Sequence, residues 1–374
     1  MLIYAILAAV TVILGFLVSK NYEQLSYGYP RARVLNGVVL FSIFLFLFVV
    51  SALRLNVGND YAKYVEFFHL IRVNLESPTV VPTEPGFNLL FIIIYYLSGR
   101  YENYLLMFAV LAFLTILFFI KGMYKQSDWF GMTFFLFMTM GFYFKSFSMV
   151  RYYLALALAF MSISYVLKKQ WIRFLLLVAL GATFHKSMLV VIPLYFLAQW
   201  NWKKYQMAIG ALICASFFVF REKYLELFLK VYPTYEGTEY LNGGTSYVAI
   251  GICLAVLVLS LFLYKKAIKD DRRMKFYFFC NIGGLLLYVC CSFLPSVSRA
   301  AYYLTVTQIV FIPSLLKKIE NKKIRRLAIF GVIVAFTAYF VLFLIKEAPA
   351  DGLRILPYQT WLYHDMVPIL SDVS

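Results

Sequence analysis

Three ionisable residues stand where an apolar sequence gives them little reason to be. Arg151 lies three residues after a serine in Ser148-Met-Val-Arg151-Tyr-Tyr-Leu, and Arg299 does the same in Ser296-Val-Ser-Arg299-Ala-Ala-Tyr-Tyr-Leu. Serine at that spacing is placed to cap a helix whose first turn then holds the arginine. A cation there opposes the positive end of the helix dipole. Two such cations beside backbone N–H groups suit a bound anion, and arginine grips phosphate through paired donors. Snorkelling to headgroups is the plain alternative for either arginine alone; their matched settings favour the anion. His185 is the one histidine of three within an apolar stretch, at the break Thr183-Phe-His185-Lys-Ser187. A neutral imidazole can take a proton from a hydroxyl near neutral pH. It can equally hydrogen-bond a neighbouring helix as structural glue, and the sequence leaves both open.

A second polar set precedes these. Arg54-Leu-Asn56-Val-Gly-Asn59-Asp60-Tyr61-Ala-Lys-Tyr64 and Thr83-Glu84-Pro85-Gly86 mix carboxylates with aromatic rings. That mix suits sugar hydroxyls, so Arg54, Asp60, Tyr61 and Glu84 are candidate glycan-binding residues. Asn-Asp is also ordinary turn chemistry, and glutamate before proline is ordinary helix capping. No phosphate loop, metalloprotease, hydrolase or dinucleotide motif is present, and no carboxylate cage for a metal is evident. The expected site therefore uses neither metal nor cofactor. Five cysteines fall in apolar runs without zinc-ligand spacing and read as small packing residues.

The elements that must position these groups are membrane helices. Hydrophobic residues make up 63% of the 374 and charged residues 14%, whereas soluble domains carry about 45–50% apolar and about 25% charged residues. Apolar runs at Leu2–Val18, Val34–Leu53, Leu105–Ile120, Tyr247–Tyr264, Phe276–Leu294 and Leu327–Ile345 approach the roughly 20 residues that cross a bilayer as a helix. The expected fold is an all-α polytopic membrane protein of about ten to twelve such segments, in one domain spanning 1–374. The net charge of +17 sits in short loops at Lys20 to Arg33, 168–173, 265–275 and 317–326. This is the positive-inside pattern, not a nucleic-acid surface. It puts both chain ends and the loops 54–85 and 222–245 outside. It also requires 171–200 to be a re-entrant or short-helix hairpin, with His185 at its tip beside a cavity. The short apolar segment 86–98 reads as re-entrant or interfacial on the outer side.

These pieces, in this order, resemble the EpsG family of exopolysaccharide proteins, relatives of the Wzy-type polymerases. The matching residues are Arg54-x-Asn56-x-Gly58-Asn-Asp60-Tyr61-x-x-Tyr64, Glu84-Pro85-Gly86-Phe87, Arg151, Phe184-His185-x-Ser187 with Pro193, Arg299 and Pro357-Tyr358. The resemblance implies a GT-C-like membrane fold and polymerisation of exopolysaccharide, capsule or O-antigen at the bacterial cytoplasmic membrane. Its substrates would be undecaprenyl-diphosphate-linked oligosaccharides, with a flippase and a chain-length regulator as partners. It also implies diphosphate binding by Arg151 and Arg299 and a base role for His185, without metal. A lipid-linked oligosaccharide flippase, or a non-catalytic subunit of an export complex, would use similar residues and stays open here. The long outer loop of some polymerases is short in this chain, at about 222–245.

Overall fold

The computed structural model describes residues 1–19, 29–75, 81, 83–231, 236–237, 246–295 and 297–363. Among these the regular structure is helical, and the one strand-like feature is an isolated antiparallel bridge between Arg54 and Thr360. In chain order the helices are α1 (Leu2–Leu17), α2 (Tyr29–Ala52), α3 (Tyr61–Val73), α4 (Pro85–Leu97), α5 (Tyr104–Gln126), α6 (Phe130–Thr139), α7 (Phe142–Lys145), α8 (Val150–Leu167) and α9 (Trp171–Ala182). There follow α10 (Val191–Gln199), α11 (Lys204–Val219), α12 (Arg221–Val231), α13 (Tyr247–Phe262), α14 (Arg272–Cys290), α15 (Val297–Thr305), α16 (Gln308–Lys317) and α17 (Lys322–Leu342). Several begin where side chains satisfy their first N–H groups. Asn103 accepts the Leu106 N–H at 2.9 Å, and Asp271 and Asn321 do the same for α14 and α17. Pro85 opens α4, the position where its missing N–H costs nothing.

Among the described residues, four helical stretches are long and apolar enough to cross a membrane: Arg33–Ala52, Tyr104–Gln126, Val150–Leu167 and Lys322–Glu347. Shorter apolar helices fill most of the other expected positions. Two apolar stretches are broken rods. Residues 297–317 divide into α15 and α16 at Val306–Thr307. The 171–200 segment becomes α9, a 3₁₀ turn at Lys186–Val190 and α10, so the interruption at His185 is real. The 222–245 loop begins as α12; residues 232–235 and 238–245 lie outside the described set. Large apolar side chains such as Leu2, Phe41, Ile172, Leu212, Phe262 and Leu327 stand exposed on their helices, a surface built for lipid rather than water. The chain is an all-α polytopic membrane protein.

The helices gather into two compact units. One comprises Met1–Tyr165, Gln170–Met188 and Asn321–Ser374; the other comprises Val166–Lys169 and Leu189–Glu320. In the first, α1 packs on α2 and α6, α2 on α5, and α17 on α6. The apolar window of α8 is 83% buried, against 28% for that of α2, so the helix that Arg151 opens is enclosed by protein. The second unit packs α10, α13 and α15 against α14. Its interior holds a polar knot: Gln308 Nε2 donates to Asn281 Oδ1 at 2.8 Å, and Asn281 Nδ2 donates to the Cys253 carbonyl at 3.0 Å. Such bonds hold helices together where lipid gives no hydrophobic drive. All five cysteines are free thiols, four of them buried.

Candidate functional site

Glu84 is the centre of the polar cluster in the first unit. It occupies the position that caps α4, yet its carboxylate makes no capping bond. One oxygen, Oε2, accepts from Arg151 Nη1 in an ion pair. The other, Oε1, accepts the backbone N–H of Lys186 at 3.1 Å. A single carboxylate thus ties the first turn of α8 to the turn that carries His185. The backbone reinforces the tie, because the Gly86 N–H donates to the Thr183 carbonyl at 2.9 Å. A Cβ at Gly86 would run into the Thr183 side chain, so only glycine admits this approach.

Arg151 lies in the first turn of α8 as the spacing predicts. Its guanidinium carbon is 5.3 Å from the Phe87 ring centroid, 5.9 Å from Phe67 and 6.0 Å from Tyr64. A part-buried guanidinium between aromatic faces and a carboxylate is held by protein, which is not how a headgroup-seeking arginine sits. Burial pushes the Tyr64 hydroxyl up to about 12, with the Asp60 carboxylate adding to the rise and Arg151 opposing it. Tyr64 therefore stays protonated at neutral pH. Ser148 does not cap α8; its buried hydroxyl accepts the Asn59 N–H at 3.2 Å and fixes the 54–60 loop instead.

His185 follows α9, with its own N–H on the Gly181 carbonyl at 3.0 Å. The ring stands edge-on to Tyr152, the neighbour of Arg151 in sequence, with centroids 5.5 Å apart. Its Nδ1 receives the Ser187 hydroxyl at 2.7 Å and the Ser187 N–H at 3.3 Å. The ring is half-buried and Lys186 beside it is exposed.

The four candidate glycan-binding residues divide. Arg54 and Tyr61 are each 2% exposed. Tyr61 stacks on Phe108 at 4.2 Å, and the Arg54 guanidinium lies over Phe108 and Phe147 at 4.8 and 5.0 Å. Arg54 Nη1 donates to the Ser51 carbonyl and hydroxyl at 2.7 and 3.0 Å, while Nε lacks a partner among the described residues. Burial pushes the Arg54 guanidinium below its usual pKa, and Tyr61 and Tyr143 push it back. In this conformation both residues brace the loop and face no open space. Asp60, at the start of α3, and Glu84 remain partly accessible. Gly58, at φ +111°, lies so close to the Phe147 carbonyl that a Cβ would collide with it.

The loop is also stitched to a distant segment. The Leu55, Gly58 and Asn59 N–H groups donate to the carbonyls of Gln359, Arg354 and Leu353 at 2.9–3.0 Å, and the Trp361 N–H returns one to Leu53 at 3.1 Å. Tyr358, singled out in the sequence beside Pro357, donates its hydroxyl to the Val50 carbonyl at 2.9 Å. Arg299 lies in the first turn of α15 in the other unit, half-buried; Ser296, its expected cap, falls outside the described residues. Among the described residues no group of three or more His, Cys, Asp or Glu side chains is arranged to hold a metal ion. Sequence reasoning missed two features. One is the bridging role of Glu84, masked by its capping position. The other is the pairing of Lys145 with Glu347 at 3.1 Å, which joins α7 to the π-helical turn after α17.

Buried helices, a lipid-facing apolar surface and an Arg–Glu–His cluster at helix starts define a polytopic membrane protein with a polar site. The chain belongs to the EpsG family, whose family model matches residues 37–360. That match runs from α2 to Thr360 and takes in every residue of the cluster. Membership assigns the chain to polysaccharide biosynthesis. No curated protein and no solved structure matches it.

Proposed function

We propose that this protein is a polymerase that joins oligosaccharide repeat units carried on undecaprenyl diphosphate, at the outer face of the bacterial cytoplasmic membrane. Family membership supports polysaccharide chemistry. The observation that carries the reading further is the pair of bonds from Glu84, which brings a cation and an imidazole-bearing turn into one cluster. The reaction is one inverting transfer. Arg151 neutralises the leaving diphosphate of the donor, and Arg299 is assigned the same role from its place at a helix start. Fixed cations at a developing negative charge lower a barrier by several kcal/mol. His185 accepts the proton of the acceptor hydroxyl as that oxygen attacks the anomeric carbon. Diphosphate is already a good leaving group, so the step asks for no general acid and no metal. Asp60 and Glu84, the partly accessible carboxylates of the candidate set, are assigned to the sugar hydroxyls, with a flippase and a chain-length regulator acting before and after.

The test is reconstitution. Protein in liposomes with undecaprenyl-diphosphate-linked repeat units should yield a ladder of longer lipid-linked products, and EDTA should leave the ladder intact. An unextended substrate that crosses the bilayer instead would mark a flippase. Loss of the ladder in EDTA, restored by magnesium or manganese, would make Asp60 and Glu84 metal ligands and end the metal-free mechanism.

A further inference from the structure

We infer that Ser187 is a proton relay between the acceptor hydroxyl and His185, an inference that rests on the transferase reading above. The argument begins with a donor that cannot reverse. The Ser187 backbone N–H points at His185 Nδ1 at 3.3 Å, and a nitrogen that receives an N–H carries no proton of its own. The neutral ring therefore holds its proton on Nε2, and its basic lone pair is on Nδ1. The Ser187 hydroxyl sits on that lone pair at 2.7 Å. Rotating the ring by half a turn would forfeit both bonds, and the edge contact with Tyr152 holds it in place. The turn itself is pinned. The Met188 N–H donates to the His185 carbonyl at 3.0 Å, and Glu84 Oε1 holds the Lys186 N–H. A hydroxyl that approaches Nδ1 meets Ser187 Oγ first.

The step balances without a further reactant. The acceptor O–H proton moves to Ser187 Oγ as the serine proton moves to Nδ1. The acceptor oxygen's electron pair forms the new bond to the anomeric carbon, and the bond from that carbon to the diphosphate oxygen breaks with its pair leaving on the diphosphate. Serine ends as it began, and His185 ends as the imidazolium. The plain competitor is a histidine that only caps its turn, as an asparagine would.

Two measurements separate these. In detergent-solubilised protein with ¹⁵N-labelled histidine, assigned by subtraction of the His185→Asn spectrum, the neutral His185 ring should carry its proton on Nε2. In the liposome assay Ser187→Ala should slow extension about a hundredfold, the scale of a lost acid–base step. Ser187→Thr, which keeps the hydroxyl, should stay within about tenfold of wild type. His185→Asn, which can still cap, should be inactive. A proton on Nδ1 overturns the relay. So does Ser187→Ala with near wild-type extension beside a dead His185→Asn: the histidine then takes the proton directly and the transferase reading stands. An active His185→Asn makes the ring a cap and removes both relay and base. Wild-type protein that builds no ladder, with the ring proton still on Nε2, sinks the transferase reading and the relay with it.

Discussion

The Gly86 amide and the Thr183 carbonyl meet at 2.9 Å, closer than any other residue type at position 86 would allow. Replacing Gly86 with alanine should force the start of α4 away from the 183–187 turn, at a cost of about 1–3 kcal/mol. Thermal unfolding in detergent should show a lower midpoint, partly restored by adding Thr183→Gly. Gly251→Ala, where a new Cβ meets nothing within 4 Å, is the matched control. Equal midpoints for the two alanine variants would mean that this contact does not exist in the protein.

Glu84 competes with any anion for the donors of Arg151. Removing its charge in Glu84→Gln should therefore tighten binding of inorganic diphosphate by about tenfold, the worth of one charge-assisted bond. Turnover should fall, because the turn bearing His185 loses a firm anchor. Titration calorimetry reads the first effect and the liposome ladder the second. Weaker diphosphate binding in the variant would show that the carboxylate orients Arg151 for the anion rather than competing with it.

Arg151→Lys and Arg299→Lys should each lose most extension while the protein still inserts. Lysine keeps the charge but loses the paired planar donors that grip a diphosphate. Near wild-type ladders from both lysine variants would reduce the arginines to a general positive field.

The distribution of basic loops predicts the topology. Single cysteines placed in 265–275 should resist an impermeant thiol reagent added to intact cells, and cysteines in 54–75 should react. Labelling of 265–275 from outside would invert the orientation and put the cluster on the cytoplasmic side.

The helical, lipid-embedded character was legible because apolar runs and basic loops are one-dimensional signals. Arg151 and His185 were legible for a related reason: polar groups in apolar sequence are costly, so their presence asks for an explanation. Glu84 was harder. A glutamate before proline at a helix start already has an adequate explanation, and only the fold reveals that its oxygens turn to Arg151 and Lys186. The burial of Arg54 was not legible at all, since the side chains that enclose it come from Phe108 and Phe147. The enclosure of α8 was equally hidden, because hydropathy does not distinguish lipid from protein as the apolar neighbour. The break between α15 and α16 carries no strong sequence mark, as Pro313 falls inside α16 rather than at the break.

The stitching of the 53–61 loop to residues 353–361 has a temporal side. The Tyr358 hydroxyl and the Val50 carbonyl it meets are 308 residues apart in the chain, and contacts that close so long a loop form late. Without residues 353–359 in place, the amides of Leu55, Gly58 and Asn59 have no carbonyls from Gln359, Arg354 and Leu353 to meet. A nascent chain, or one cut short before Leu353, holds Arg151 and His185 but lacks the finished loop beside them. The loop beside the site is thus finished by a segment some 300 residues away in the chain.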